Sequence, residues 1–583
     1  MFLSNLTRRG FIGTAALAAA ASLAACSQSA SSASSSSASD SIASSSSETT
    51  TSPVVIQTSY GPVAGIATNG VRTWYGVPYG ANPANELRWQ APQPPTAWDK
   101  ELDCSQPKEM ALQLADGEVK GTEDILNLDI YSPEGAEELP VLVFIHGGNN
   151  QTGNAQEIPG AELCMKDECV YVSLSFRLGA LGFNPLPAIT SASNGTGNYA
   201  MLDIAAALDW IQANIAKFGG NPNNITVSGF SAGGRDVMAM LISPTFEGKF
   251  HKAIAFSGGM TTAELDPSID KYAAAIAPLA VEDGKATSAK EAFEWLKGTG
   301  NDVRDYLMGI DAKRLAPLMG NAGIRMSVFP HLFQDGSVIP GDGFSGAKYT
   351  SVPLIMLTGS TEFSFFCLFD AFFSGDAVKG LSEEEVNAAK AFANKYGSDM
   401  YRIFNAQCSA EAMASSYDAP IYVCQVNYGG EDSAMAADLA PFGAFHGIFV
   451  PMLSKENNYA AMMKGAFDKA GYVDMAQKFN AYLRAFLASP EGLPKVDGQA
   501  DWTAWTPQSK ASLVLDGTAD AAVVEMKDVS SSYDEIIDAM RADTTVSDQV
   551  KELVEKNVTN GRWFSAAQDE AFGAPNLWTV NVE

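Results

Sequence analysis

The chain contains few histidines, cysteines and basic residues. It has 4 His and 7 Cys in 583 residues, and 38 Lys and Arg stand against 67 Asp and Glu, which gives a formal net charge of −29. Zinc sites need clustered Cys and His, and no C-x-x-C pair occurs, so we expect no metal site. Nucleic acid is bound through clustered Lys and Arg, so the acidic balance excludes it as a partner. We interpret the surplus of acids as the solvated surface of an exported protein; a specific cation-binding role is the alternative.

No apolar run beyond the N-terminal segment reaches the length of a membrane-spanning helix. Residues 1–25 predict a targeting segment, because Thr7-Arg8-Arg9-Gly10-Phe11-Ile12 resembles a twin-arginine export signal. The alanine-rich run that follows ends in Leu23-Ala24-Ala25-Cys26, which resembles a lipoprotein cleavage box. On this resemblance Cys26 is the lipid-modified first residue of the mature chain. The expected location is extracytoplasmic, lipid-anchored to the bacterial cell membrane, with membrane contact only through the lipid anchor.

Residues 26–53 predict a disordered tether. The segment is almost entirely Ser with Ala, Thr and a few acids, so it has too little apolar surface to form a core. Six cysteines remain after Cys26, and of these Cys164 and Cys169 could form a bridge. The twin-arginine resemblance implies folding in a reducing compartment before export, so this disulfide is left open.

Apolar runs that alternate with helical patterns predict a large, mostly parallel sheet covered by helices on both faces. Residues 141–145 and 170–174 are continuous apolar runs, typical of strands buried on both sides. Apolar residues at helical spacing from Leu202 predict a helix that ends at Gly219-Gly220. Further strands are predicted at 54–58 and 63–66, which form a hairpin, and at 123–131, 225–227, 253–256, 352–357 and 421–426.

The pentapeptide Gly229-Phe230-Ser231-Ala232-Gly233 lies between the apolar run 225–227 and a stretch able to form a helix. A serine on a sharp strand-to-helix turn has a strained backbone, and bulky side chains two residues away on either side would collide there. The two glycines remove those side chains. The N–H of Ala232 then lies near the serine oxygen and the positive end of the new helix, which suits an oxyanion. We therefore interpret Ser231 as a nucleophile.

The chain resembles the type-B carboxylesterase family, the cholinesterase-like branch of the α/β-hydrolases, from about Val54 to Met526. Several separated motifs occur in the order of that family. They are Tyr75-Gly76-Val77-Pro78-Tyr79, Leu87-Arg88-Trp89, Glu123-Asp124, His146-Gly147-Gly148, Phe176-Arg177-Leu178-Gly179, Leu181-Gly182-Phe183, Asn214-Ile215, Phe218-Gly219-Gly220-Asn221-Pro222, the run from Gly229 to Gly234, and His446-Gly447. The resemblance implies an α/β-hydrolase fold and a catalytic domain at 54–527.

The resemblance also implies a catalytic triad that begins with Ser231. The base is implied at His446, in the motif Ala444-Phe445-His446-Gly447, and the acid at Glu362, just past an apolar strand. The chain order Ser, Glu, His is the one expected of α/β-hydrolases. The alternatives are a satisfied core histidine for His446 and a solvated loop acid for Glu362.

The other three histidines are interpreted as non-catalytic. The family pattern gives His146 a structural place before the glycine loop, and it uses the region around His331 for packing. We expect His251, which precedes a strand, to lie on the surface.

The oxyanion hole is implied at the backbone N–H groups of Gly148, Asn149 and Ala232. Here the sequence departs from the family, which usually has a third small residue and an aromatic residue where this chain has Asn149-Asn150. Asn tolerates unusual backbone angles, so we expect the hole to be retained with an altered shape.

Other departures concern the surroundings of the site. Phe230 replaces a common glutamate, which predicts a more apolar pocket floor and an altered proton network, and Ile125 replaces a cysteine that often forms a disulfide. Arg88 and Glu123 resemble a structural ion pair of the family. A cluster of aromatic residues after the proposed acid predicts core packing or, alternatively, an apolar wall of the substrate gorge; it comprises Phe363, Phe365, Phe366, Phe369, Phe372 and Phe373.

Beyond residue 527 the resemblance fades. Apolar residues at helical spacing from Val546 to Val554, after a capping pair at Thr545 and Asp548, predict a helical extension at 528–583.

We therefore predict a serine carboxylesterase that hydrolyses small-molecule carboxylic esters through an acyl-enzyme, without a metal or organic cofactor. The alternative from another class is a catalytically silent binding or adhesion protein on the same fold. Amide or lactone hydrolysis by the same triad is the alternative among enzymes. The physiological substrate and the oligomeric state are left open.

Overall fold

A computed structural model describes residues 52–193, 195–457, 459, 463 and 465–582. The predicted targeting segment, Cys26 and the tether up to residue 51 lie outside the described residues. The first strand begins at Ser52, so residues 52 and 53 belong to the sheet and not to the tether as predicted.

The strands of the described chain are short to medium in length. They are β1 Ser52–Gln57, β2 Pro62–Thr68, β3 Val71–Pro78, β4 Leu102–Asp103, β5 Gln113–Ala115, β6 Glu118–Lys120, β7 Asn127–Pro133, β8 Leu139–Ile145, β9 Val170–Leu174, β10 Gly220–Phe230, β11 Lys252–Phe256, β12 Leu354–Gly359, β13 Ile421–Val426, β14 Ala511–Gly517 and β15 Ala522–Asp528.

A 13-stranded sheet runs in the order β1-β2-β3-β7-β9-β8-β10-β11-β12-β13-β14-β15, with β4 paired to β2. All pairings from β9 to β14 are parallel, and the outer pairings are antiparallel except for that of β2 with β4, which is parallel. The predicted large, mostly parallel sheet and the predicted N-terminal hairpin are thereby confirmed. Because the central strands are parallel, their carboxyl ends meet at one edge, where ligand sites form in such sheets.

The helices alternate with the central strands and continue beyond the sheet. They are α1 Gly160–Lys166, α2 Gly179–Gly182, α3 Pro187–Thr190, α4 Tyr199–Asn214, α5 Ala232–Met240, α6 Leu265–Glu282, α7 Ala289–Leu296, α8 Asn301–Gly309, α9 Ala312–Leu315, α10 Ser364–Leu368, α11 Glu383–Arg402, α12 Cys408–Met413, α13 Val450–Leu453, α14 Ala470–Ala488, α15 Tyr533–Ala542, α16 Asp548–Val554 and α17 Ala566–Phe572. None of the helices in the described ranges is long and apolar enough to cross a bilayer.

Alternate residues of β8 enter two different cores. Val141 and Val143 belong to a core that includes α4 and α5, whereas Leu142 and Phe144 belong to a second core that includes α14. Successive side chains of a strand point to opposite faces, so helices cover the sheet on both sides, as the continuous apolar run of β8 predicts.

Three sequence predictions need correction. Strand β7 begins at Asn127, not at residue 123, and the preceding residues form a loop. The capping residue of α16 is Ser547, whose hydroxyl accepts a hydrogen bond from the Val550 N–H, so the predicted cap at Thr545 is wrong. His251, expected on the surface, is half-buried, and its Nδ1 accepts a hydrogen bond from the Ile225 N–H at 3.1 Å.

The six described cysteines are all free thiols, so Cys164 and Cys169 are not bridged in this structure. Ile125, at the position of the family's frequent cysteine, is 1% exposed. Apolar packing therefore holds this segment where a disulfide would otherwise do so.

Candidate active site

Ser231 lies on the sharp turn between β10 and α5. Its backbone has φ 57° and ψ −116°, a strained conformation for a residue with a side chain. A Cβ at Gly229 would lie 2.2 Å from the Gly233 carbonyl oxygen, and a Cβ at Gly233 would lie 2.1 Å from the Ile145 carbonyl oxygen. The two glycines of the motif are therefore required sterically, as the sequence predicts.

The predicted base and acid contact each other. Nδ1 of His446 and Oε2 of Glu362 are 2.5 Å apart. The other carboxylate oxygen, Oε1, accepts hydrogen bonds from Ser257 Oγ at 2.6 Å, Thr358 Oγ1 at 3.1 Å and the Gly359 N–H at 2.5 Å. Glu362 is 0% exposed. A fully buried carboxylate with hydrogen-bond partners on both oxygens is fixed in place and can hold the imidazole in one tautomer.

The remaining ring nitrogen of His446, Nε2, is buried and has no hydrogen-bond partner among the described residues. The imidazole centroid lies 4.7 Å from the ring centroid of Phe230, which directly precedes Ser231. The structure thus places the predicted base against the residue that directly precedes the predicted nucleophile, and Ser231 makes no hydrogen bond to Nε2 here. In hydrolases without substrate this bond is often long and tightens only in the complex.

The predicted oxyanion loop lies beside Ser231. A Cβ at Gly147 would be 3.3 Å from the Ser231 Cβ. Three consecutive residues of the loop have positive φ: Gly148 at 97°, Asn149 at 59° and Asn150 at 55°. No acceptor among the described residues contacts the backbone N–H groups of Gly148 or Asn149. Such free donors at a tight turn can bind an oxyanion.

Two side chains fix this loop to its neighbours. The Gly147 N–H donates to Glu157 Oε2 at 2.7 Å, and burial raises the pKa of Glu157 to about 7. Asn150 Nδ2 donates to Asp236 Oδ1 at 2.8 Å, and burial raises the pKa of Asp236 to about 7 as well. Because Asp236 belongs to α5, the second bond ties the loop directly to the helix that follows Ser231.

The aromatic cluster after Glu362 contains both buried and partly exposed rings. Phe363 is 0% exposed and Phe373 is 7% exposed, so these two belong to the core. Phe366 is partly exposed and its ring centroid lies 5.3 Å from that of His446, whereas Phe369 is 38% exposed. Phe366 therefore presents a partly exposed apolar ring near the base, whereas Phe369 packs against Phe365 and Phe442.

The remaining histidines have structural surroundings. His146 stacks on Phe176 at 4.6 Å, and burial lowers its pKa to about 4. His331 is fully buried and contacts the Arg235 guanidinium, and burial lowers its pKa well below the usual value. In the described part of the chain, no group of three His, Cys, Asp or Glu side chains is arranged to hold a metal ion.

The ion pair expected from the resemblance is present. Arg88 Nε and Nη2 each donate to one carboxylate oxygen of Glu123 at 3.0 Å, and Arg88 Nη1 donates to the Ile310 carbonyl at 2.7 Å. This bidentate pair joins loops that are distant in sequence.

Sequence reasoning missed the partners of the oxyanion loop. It treated Asn150 only as a departure from the family pattern and did not consider Ser257, Glu157 or Asp236. One signal was available: Arg235-Asp236 is a charged pair inside an otherwise small and apolar helix, which indicates a buried polar contact.

Comparison with known proteins was consistent at three levels. The sequence profile of the carboxylesterase family matches residues 52–395. The chain is 28% identical over 501 residues to the para-nitrobenzyl esterase of Bacillus subtilis strain 168, covering 79% of this chain and 94% of that protein. It is 39% identical over 206 residues to the acylcarnitine hydrolase of Rattus norvegicus, covering 32% of this chain and only 36% of that protein.

Solved structures give the same fold. A thermophilic PNB esterase superimposes with a TM-score of 0.61 at 25% identity, covering 83% of this chain and 99% of that chain. A carboxylesterase of Geobacillus stearothermophilus superimposes with a TM-score of 0.62 at 24% identity, covering 81% of this chain and 98% of that chain. The chain thus belongs to the carboxylesterase family, has the α/β-hydrolase fold and is a carboxylic ester hydrolase.

Proposed function

We propose that the protein is a serine carboxylesterase whose triad is Ser231, His446 and Glu362. The observation that carries this proposal is the 2.5 Å contact between His446 Nδ1 and Glu362 Oε2, with Nε2 buried and unpartnered among the described residues and the imidazole ring 4.7 Å from that of Phe230, which directly precedes Ser231. A histidine held in this way at one nitrogen is prepared to accept a proton at the other.

The proposed reaction has two steps. Ser231 Oγ attacks the ester carbonyl carbon while His446 Nε2 takes its proton, and the same nitrogen then returns the proton to the departing alcohol oxygen. Water enters, gives a proton to Nε2 and attacks the acyl-enzyme, and the acid leaves as Ser231 recovers its proton. Glu362 stays ionised and stabilises the imidazolium that forms in each step.

The N–H groups of Gly148, Asn149 and Ala232 are proposed as the oxyanion hole. The first two belong to the loop with positive φ, and the third begins α5, where the helix dipole favours negative charge. Removing one such donor costs about 10²- to 10³-fold in kcat in comparable sites.

Esters with apolar groups are the proposed substrates. The partly exposed ring of Phe366 beside His446 and the apolar ring of Phe230 favour them, because apolar area is buried on binding. The para-nitrobenzyl esterase and the acylcarnitine hydrolase are named for esters with an aromatic or an alkyl part, in agreement with this preference.

A fluorophosphonate probe and a substrate panel test this proposal. The wild-type protein should be labelled, and Ser231→Ala should not, whereas Ser243→Ala, a buried serine after α5, should be labelled like the wild type. Short and long acyl esters, amides and lactones are compared by kcat/KM. Absence of labelling and turnover would favour the silent binding protein, and faster turnover of amides or lactones than of every ester would reassign the substrate.

The proposed cellular location is extracytoplasmic, with Cys26 lipid-modified. The resemblance of residues 7–12 and 23–26 to export and lipoprotein signals supports it. Wild-type protein should be found in the membrane fraction and should take up labelled fatty acid, whereas Cys26→Ser should do neither. A wild-type protein that carries no lipid would contradict this location.

A further inference from the structure

Three consecutive residues of the C-terminal extension are buried next to the proposed triad. Arg562, Trp563 and Phe564 are 5%, 6% and 1% exposed, and they follow the π-helix Glu555–Thr559. They lie beyond β15, the last strand of the sheet, and outside residues 52–395 that match the family profile. We call these three residues the clasp.

Phe564 connects to the base through one ring. Its ring stacks on Tyr401 at 4.7 Å and 28°, and Tyr401 in turn stacks on His446 at 5.4 Å and 22°. Phe564 also packs edge-to-face on Phe363, the residue after Glu362, at 5.4 Å. A single side chain of the extension therefore supports both the imidazole and the acid loop.

Trp563 connects to the nucleophile helix. The Arg235 guanidinium carbon lies 3.5 Å from the centroid of its ring, and Arg235 belongs to α5, which begins directly after Ser231. Arg235 is 0% exposed and forms no ion pair with a carboxylate among the described residues. The face of the Trp563 ring thus covers the Arg235 guanidinium in a cation–π contact, and the guanidinium also contacts His331 and Met326.

Arg562 connects to the segment after the acid. It donates to Asp370 Oδ2 at 2.6 Å and to the Val558 carbonyl at 2.8 Å, and its guanidinium lies 5.1 Å from the centroid of the Phe363 ring. A buried ion pair of this kind fixes relative position, because breaking it leaves an uncompensated charge.

We propose that the clasp is a positioning element of the catalytic site. It contacts the segments that carry Ser231 and Glu362 directly, and through Tyr401 it holds the imidazole of His446 against Glu362. This inference rests on the proposed triad. Displacement of a reacting group by about 1 Å can cost a factor of about 100 in rate, so loss of the stack reduces kcat more than KM.

The variant Phe564→Leu in the full chain tests this role. We expect kcat for an apolar ester to fall at least about tenfold, with KM changed less than about threefold, because substrate contacts are retained. Phe564→Tyr keeps the ring and should retain kcat. The matched control is Phe486→Leu, the same change at a fully buried phenylalanine in α14, in the core on the other face of the sheet.

A spectroscopic measurement separates this inference from the proposed function. The proton between His446 Nδ1 and Glu362 should give a far-downfield NMR signal that is absent in His446→Gln. We expect Phe564→Leu to shift or broaden this signal and Phe486→Leu to leave it unchanged. The positioning role of the clasp would be overturned if a folded Phe564→Leu protein kept the wild-type NMR signal and kcat, or if Phe486→Leu lost as much signal and kcat as Phe564→Leu. A wild-type protein with the signal but without Ser231-dependent turnover would instead overturn the proposed function.

Discussion

Substitution of Glu362 by glutamine tests the proposed catalytic acid. The hydrogen bonds to the carboxylate determine how the new amide must be oriented, and hence the expected result. Oε1 accepts from two hydroxyls, which can rotate, and from the Gly359 N–H at 2.5 Å, which cannot. The amide oxygen of the variant must therefore occupy the Oε1 position, because an NH2 group there would face a fixed donor. The NH2 group then points at His446 Nδ1.

This orientation changes the tautomer of the base. Nδ1 must accept a hydrogen bond from the amide, so the proton of the neutral imidazole moves to Nε2, where the Ser231 proton has to be received. The imidazolium also loses its carboxylate. We expect kcat to fall about 10³- to 10⁴-fold in Glu362→Gln, which corresponds to about 4 to 5 kcal/mol of transition-state stabilisation.

The assay is the initial rate with a chromogenic ester at saturation, together with the rate of fluorophosphonate labelling. The matched control is Ser257→Ala, which removes one donor to Oε1 but leaves the contact of Oε2 with His446. Loss of one such bond costs about 1 to 2 kcal/mol, so kcat should fall about tenfold. Folded Glu362→Gln protein with kcat within tenfold of wild type, or an equal loss in Ser257→Ala, would refute the assignment.

Three further substitutions test residues outside the proposed triad. Asn150→Ala removes the bond to Asp236, so kcat should fall about tenfold and the free energy of unfolding by about 1 to 3 kcal/mol; wild-type kcat and urea unfolding would contradict this. Phe366→Ala should raise KM about tenfold for long acyl esters but not for acetyl esters, since apolar contact near His446 is lost; equal KM changes would exclude that contact. Asp167 is fully buried and both its oxygens lack partners among the described residues, and burial raises its pKa to about 8 from the usual 3.8. The folded state therefore holds a proton that the unfolded state has lost, so the free energy of unfolding falls as pH rises between about 4 and 8. Asp167→Asn should be more stable than wild type by about 2 to 5 kcal/mol at pH 9 and similar at pH 4. If urea unfolding gave the same difference in free energy of unfolding between the two proteins at both pH values, this prediction would be contradicted.

Most of the fold could be predicted from the sequence, since its signals are local. Continuous apolar runs identified β8, β9 and β13, and helical spacing with a glycine stop identified α4. The start of β7 was misplaced because the alternation of residues 126–130 was extended back to Glu123, whereas the strand pairing with β3 begins only at Asn127. The cap of α16 was misplaced because Thr545 and Ser547 are both residue types found at N-caps, and the backbone geometry selects Ser547.

The nucleophile turn was indicated by the sequence itself, because the steric need for Gly229 arises against Gly233, four residues away; the need for Gly233 arises against Ile145 at the end of β8, a contact that the G-x-S-x-G pattern implies but only the packed sheet creates. The supports of the site were decided only by tertiary structure. Asn150 and Asp236 are 86 residues apart in the chain. Phe564 belongs to the C-terminal extension, beyond the last strand of the sheet, and it contacts Tyr401. Such contacts depend on how distant elements pack against each other, and neither periodicity nor motif spacing carries that information. For the same reason, the buried donors around Glu362 could be identified only once β11, β12 and the loop of His446 lay side by side.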